Sequence, residues 1–191
     1  MGRLDRFEAP WTAASFLVTD QRTFGNAWRY ELVDGVVVAH ATPALLHGEI
    51  GGNLVFALKS RIRGQTCKVE IGSGAAPKNQ QRPTARIPDV LVRCEGLPTI
   101  LFEIVSPSEL RDWRERNRKR RDEQDVAGVQ EIVEIYQVQP SIHVYRRAEA
   151  GLWSFESIDE LDGVLHLASL DLRLPLSEIY ENVNFDEPSD A

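Results

Sequence analysis

The sequence predicts an α/β or α+β domain that opens with an N-terminal β-hairpin. Three observations carry that reading. WRYELVDGVVVAHA, Trp28 to Ala41, is two β-rich runs joined at Asp34-Gly35, a preferred type I′ turn pair. From Pro43 to Arg63, Leu46, Ile50, Leu54, Leu58 and Ile62 recur every four residues, as in an amphipathic helix that Gly64 stops. IPDVLVRCEGLPTILFEIVSPS, Ile87 to Ser108, holds two short apolar runs of strand length separated by turn residues.

The other elements fall between these in order. Thr12 to Gln21 reads as a short helix capped by Thr12. CKVEIG, from Cys67, reads as a strand, and Ala75 to Arg86 as a polar loop. Strands follow at Pro88–Arg93 and Thr99–Val105. A basic helix follows Ser106-Pro107-Ser108 and ends near Gly128. QEIVEIYQ is a buried strand, and SIHVYRR and LWSFESI form a closing antiparallel pair around Ala150-Gly151. There is no internal repeat or linker, so residues 1–184 read as one domain and 185–191 as a frayed tail.

At 191 residues the chain can bury one sizeable core but not two. No apolar stretch approaches the ~20 residues of a membrane helix. MGRLDRFEAPW lacks the apolar segment of a secretory signal, so a cytoplasmic protein is expected. Cys67 and Cys94 show no CxxC spacing and are expected to be reduced, strand-borne core residues. Net charge is −7, yet Arg111 to Arg121 carries six Arg and one Lys against Asp112 and Glu115, a local +5. Such a helix could reach phosphates, or could simply present a solvated face.

Glu103 poses the sharpest question. Alternation along a strand puts Leu101, Glu103 and Val105 on one face and Ile100, Phe102 and Ile104 on the other. A carboxylate between aliphatics needs a partner, a proton or a metal. Asp89 opens the preceding strand, and adjacent antiparallel strands lie ~4.8 Å apart, so the two acids could converge into a hard-oxygen site suited to Mg²⁺. The plainer alternative pairs Glu103 with an Arg of the next helix and leaves Asp89 as an ordinary turn residue.

The order YELVDGVV, His47, PDVLV, FEIVSPS, AGVQEIVEIY and VYRR resembles a large bacterial family of restriction-endonuclease-like proteins, especially expanded in cyanobacteria. That family belongs to the PD-(D/E)-x-K nuclease superfamily, and the resemblance runs from Tyr30 to the C-terminal strands. It implies a restriction-endonuclease-like mixed central β-sheet flanked by helices. It also implies Asp89 and Glu103 as the superfamily acids, with Glu31 and His47 at recurrent polar positions. A strict pattern needs Lys two residues after Glu103, where Val105 stands. In the family that lysine sits in the following helix, at a spacing that falls on Arg120 here, beside Lys119. Arginine cannot act as a base, and helical geometry turns Lys119 ~100° from Arg120.

The implied activity is Mg²⁺-dependent hydrolysis of nucleic-acid phosphodiester bonds, with Mn²⁺ as a substitute and DNA as the expected partner. Asp89, Glu103 and the Ile104 carbonyl would hold the metal, while Lys119 or Arg120 would steady the attacking water or the phosphate. Glu31 could bind the metal or pair with an arginine. His47, at the edge of an apolar helix face, could shuttle protons or simply fill a boundary position. The missing lysine keeps open a catalytically inactive module that binds nucleic acid or protein. Val164 to Tyr180 offers Leu165, Leu167 and Leu170 either to the sheet or to a symmetric homodimer.

Overall fold

The computed structural model describes residues 11–27, 29–78 and 81–185. Its centre is a six-stranded sheet in chain order: β3 (Cys67–Glu70), β4 (Val90–Cys94), β5 (Leu97–Val105), β6 (Glu131–Tyr136), β7 (Ile142–Arg147) and β8 (Trp153–Ile158). Every neighbouring pair is antiparallel except β5 and β6, which are parallel. A parallel pair needs a long crossover, and the basic segment supplies it. The expected single helix there is two: α3 (Pro107–Arg111) and α4 (Trp113–Gln124), broken at Asp112. Asp112 leaves helical geometry at φ −103°, ψ 64°, and its side chain caps α4 by accepting from the Glu115 N–H. Ser106 and Glu109 cap α3 reciprocally.

Both sheet faces are covered, which is why the central strands read as apolar runs. On one face Val90, Val92, Ile100, Phe102, Val133 and Ile135 meet Ile50, Leu54 and Leu58 of α2 (Leu45–Arg61). The same core takes Leu165 and Leu167 of β9 (Val164–Leu167) and Leu174 of β10 (Leu172–Pro175). It also takes Leu176 and Ile179 of α5 (Leu176–Ile179), so the apolar C-terminal segment packs inward. On the other face Leu91, Leu101 and Ile132 pack with Val126 and Val129 at the end of the crossover.

The hairpin forms as expected: β1 (Arg29–Val33) pairs with β2 (Val36–His40), and Asp34 and Gly35 both take positive φ. Its Tyr30, Leu32 and Val37 join Phe16 of α1 (Ala13–Val18) in a second cluster. Thr12 caps α1 through the Ser15 N–H.

Two expectations change. The segment Ala75–Arg86 is not only a polar loop. Leu32 and Ala85 exchange backbone hydrogen bonds, as do Ala75 and Arg86, and this pulls Arg86 to 2% exposure. Cys67 and Cys94 are strand-borne as expected, but they form a disulfide. They face each other across the β3–β4 pair with Cα atoms 4.1 Å apart, so register rather than sequence spacing brings them together. The expected frayed tail lies outside the described residues beyond Phe185, as does Trp28 of the hairpin.

Gly128 sets how the crossover returns to the sheet. It has φ +90°, and a Cβ there would lie 2.7 Å from the Pro98 carbonyl oxygen and 2.9 Å from Leu97 Cβ. Gly128→Ala is expected to destabilise the fold by more than ~1 kcal/mol, read as a lower urea midpoint with an unchanged slope.

Candidate active site

The hairpin register decides which polar groups face the sheet. Arg29 lies opposite His40, and Glu31 lies opposite Val38. Alternation therefore puts Arg29, Glu31 and His40 on one face, away from Tyr30 and Leu32. Glu31 is fully buried. Its Oε1 accepts the Ile87 N–H at 3.0 Å, and its Oε2 accepts from Arg86 Nη1 at 3.1 Å. Lys119 Nζ is 3.6 Å away and His40 Nε2 3.3 Å. Burial alone would raise this carboxyl, but Lys119, His40, Arg86 and Arg29 outweigh it and hold it well below the usual range.

Helix α4 closes the site. Glu115, Lys119, Asp122 and Glu123 recur at three- and four-residue spacing and share the side turned to the sheet and Arg86. Lys119 Nζ donates to Glu103 Oε2 at 2.6 Å. Burial disfavours the Lys119 charge, but Glu103 and Glu31 more than compensate, so the ammonium stays protonated. Arg120 turns elsewhere: it donates to Glu134 Oε1 at 2.8 Å and lies over the Tyr145 ring. Lys119, not Arg120, therefore reaches Glu103. Glu123, one turn beyond Lys119, is 1% exposed and contacts the Glu103 carboxyl. Burial raises the proton affinity of both acids against the pull of Lys119, with the Glu123 charge adding to it at Glu103 and the Glu31 charge at Glu123, so the pair retains a proton above the ordinary carboxylate range.

Asp89 lies just before β4 and reaches across to β5. Its Oδ2 accepts the Ile104 N–H at 2.8 Å. Its Oδ1 accepts from Arg29 Nη1 at 2.6 Å and lies 3.2 Å from His47 Nε2. Burial would raise Asp89, but the His47 hydrogen bond and the Arg29 charge hold it below the usual carboxylate range. His47 is thus tied to a carboxylate, and its Nδ1 meets Gln137 Nε2 at 3.1 Å.

The six predicted side chains fall into two adjacent cavities. Glu31, Glu103, Lys119 and Arg120 line one of about 400 Å³ under α4. Asp89 and His47 line a second of about 340 Å³, and Arg29 stands at its wall. His40, Ala41, Ser108 and Glu109 border both. Sequence reading missed Arg29, His40, Arg86 and Glu123. The hairpin register could have found the first two, and the four-residue step from Lys119 could have found Glu123. Arg86 gave no signal within its polar loop.

The donor set suits a hard divalent cation in kind, because Oε1 of Glu103 and Oε1 of Glu123 are buried with no hydrogen-bond donor. Among the described residues, however, no three His, Cys, Asp or Glu side chains form a ready-made metal cage.

Residues 16–177 match the family model Uma2, described as "Putative restriction endonuclease". The chain belongs to the Uma2 family. The matched span contains all six predicted site residues and α4. The chain is also similar in fold to a crystal structure described as "a putative nuclease belonging to DUF820 from Anabaena variabilis ATCC 29413". That likeness has a TM-score of 0.65 at 18% identity and covers 90% of this chain and 98% of the other. No curated protein matches.

The Glu103–Glu123 pair has a signature in stability. A carboxyl with a raised folded pKa favours the folded chain at low pH, and that advantage is lost as pH climbs above the ordinary glutamate value of 4.5. Glu123→Gln removes one carboxyl of the pair. Its melting temperature should match the wild type below pH 4.5 and exceed it increasingly as pH rises above that value. A difference independent of pH would show that the pair holds no extra proton.

Proposed function

We propose that this Uma2 protein is a divalent-metal-dependent endonuclease that hydrolyses phosphodiester bonds of nucleic acid, with DNA as the substrate and Mg²⁺ or Mn²⁺ as the cation. One observation carries this reading. An ammonium from α4 meets the Glu103 carboxylate at 2.6 Å, while Asp89 holds the next backbone N–H of the same strand. The lysine missing from position 105 is thus supplied from a helix.

Asp89, Glu103 and the Ile104 carbonyl would hold the cation, and when bound it would acidify a water and offset phosphate charge. The chain's own groups have separate tasks. Lys119, kept protonated, supplies fixed positive charge for a phosphate oxygen; it is not a base. The Glu103–Glu123 pair, with raised proton affinity, can accept a proton from water. Glu31 and Arg86 fix Lys119 and the hairpin from behind. His47 orients Asp89.

A second reading has its own support. Asp89 Oδ1 is already engaged by Arg29 and His47. A chain that keeps those contacts would be a binding module without hydrolysis. Under either reading we take residues 1–184 as one cytoplasmic domain. A symmetric homodimer is supported by the two open sheet edges, β3 and β8. Among the described residues no helix is long and apolar enough to cross a membrane.

Supercoiled plasmid incubated with the chain and Mg²⁺ or Mn²⁺ should be nicked, and chelation should stop it. Glu103→Gln, Asp89→Asn and Lys119→Met should each slow nicking by about a hundredfold or more, with melting curves showing intact folds. Wild-type protein that cleaves neither DNA nor RNA in either metal would leave the binding module.

A further inference from the structure

The face of the sheet that carries Glu103 continues beyond α4, and its character changes there. Register places Glu134 opposite His143, Ile132 opposite Tyr145, and Tyr145 opposite Phe155. Tyr136, His143, Tyr145 and Phe155 therefore share this face across three strands. Their rings touch in series: Tyr136–His143 at 4.6 Å, His143–Phe155 at 5.0 Å and Tyr145–Phe155 at 5.3 Å between centroids. Phe155, on the edge strand β8, is 57% exposed, although burying it would be favourable. Two guanidiniums descend onto this surface from α4. Arg120 lies 4.4 Å above the Tyr145 ring and Arg116 5.8 Å above the Tyr136 ring. Glu134 beneath them is a local acid, paired with Arg120 at 2.8 Å. Arg116, Arg120 and Glu134 also line the cavity of Glu103 and Lys119, so the aromatic surface and that cavity are continuous.

We infer that this surface is a stacking track for unpaired nucleotides leading to the candidate active site. Phe155, exposed at the sheet edge, and the half-buried His143 and Tyr145 beside it offer ring surfaces to bases, which present theirs only when they are out of a duplex, while buried Tyr136 anchors the inner end. Guanidiniums beside those rings match the phosphates that connect stacked bases. Arg116 and Arg120 share the single acid Glu134, so an apolar protein partner would leave one positive charge on this surface uncompensated. The inference rests on the nuclease reading for where the strand leads, but the track itself binds without hydrolysis.

The test is fluorescence anisotropy with the full chain, in chelator, using a labelled fifteen-nucleotide oligo-thymidine and its duplex with oligo-adenosine. The single strand should bind more tightly than the duplex. Phe155→Ala should weaken single-strand binding about fivefold or more, leave duplex binding unchanged and, because the side chain is exposed, leave the fold intact. Phe155→Trp should restore binding. Preference for the duplex, no binding of the single strand, or a Phe155→Ala variant as tight as the wild type would overturn the track. A chain that binds the single strand but cleaves nothing removes the nuclease reading and keeps the track. Cleavage of single-stranded DNA that ignores Phe155→Ala does the reverse.

Discussion

Burial of the Lys119 ammonium constrains everything around it. A charge in that position is tolerable only beside fixed opposite charge. Glu103 from the sheet and Glu31 from the hairpin supply it. Glu31 in turn needs Arg86, and Arg86 needs Asp122 and Glu115 from the same helix as Lys119. The loop is closed: hairpin, sheet, returning segment and α4 are locked by one charge network. Apolar replacements of equal volume could pack those elements as well or better. The network therefore argues for a task that needs charge in that position rather than for stability alone.

That network also separates protonation states. Glu31 and Asp89, surrounded by cations, stay ionised. Glu103 and Glu123, pressed together, hold on to a proton. Carboxyls whose environments push their proton affinities apart, within one small volume, are what acid–base chemistry requires.

Much of the architecture was legible because it rests on local rules. Asp34-Gly35 announced the hairpin, the four-residue leucine period announced α2, and apolar runs announced strands covered on both faces. What was hidden depends on contacts distant in sequence. Arg86 sits in a stretch that reads as solvent-exposed, and only its backbone pairing to Ala75 carries it inside. Cys67 and Cys94 meet through strand register, which spacing does not encode. Counting along the helix pointed to Arg120. The actual orientation of α4, set after the break at Asp112, turned Lys119 inward instead. Glu103 was the best clue of all, because a carboxylate inside an apolar strand demands an explanation, and Lys119 with Glu123 is that explanation.

Arg29 is where the two functional readings part. Its Nη1 holds the Asp89 oxygen at 2.6 Å, which a cation shared between Asp89 and Glu103 would also need. Burial disfavours its charge, but Asp89, Glu31 and Glu103 all act to keep it. The guanidinium therefore stands at the electrostatic centre of the three acids. Its attachment is incomplete, because its Nε is buried with no acceptor. Arg29 is the first residue of β1, stands at the wall of the Asp89 cavity and is only partly satisfied there. A divalent ion brings twice the charge to the same three carboxylates and can draw donors from both cavities at once. Under the nuclease reading Asp89 would have to exchange Arg29 for the cation before it could act with Glu103; under the binding-module reading it keeps Arg29.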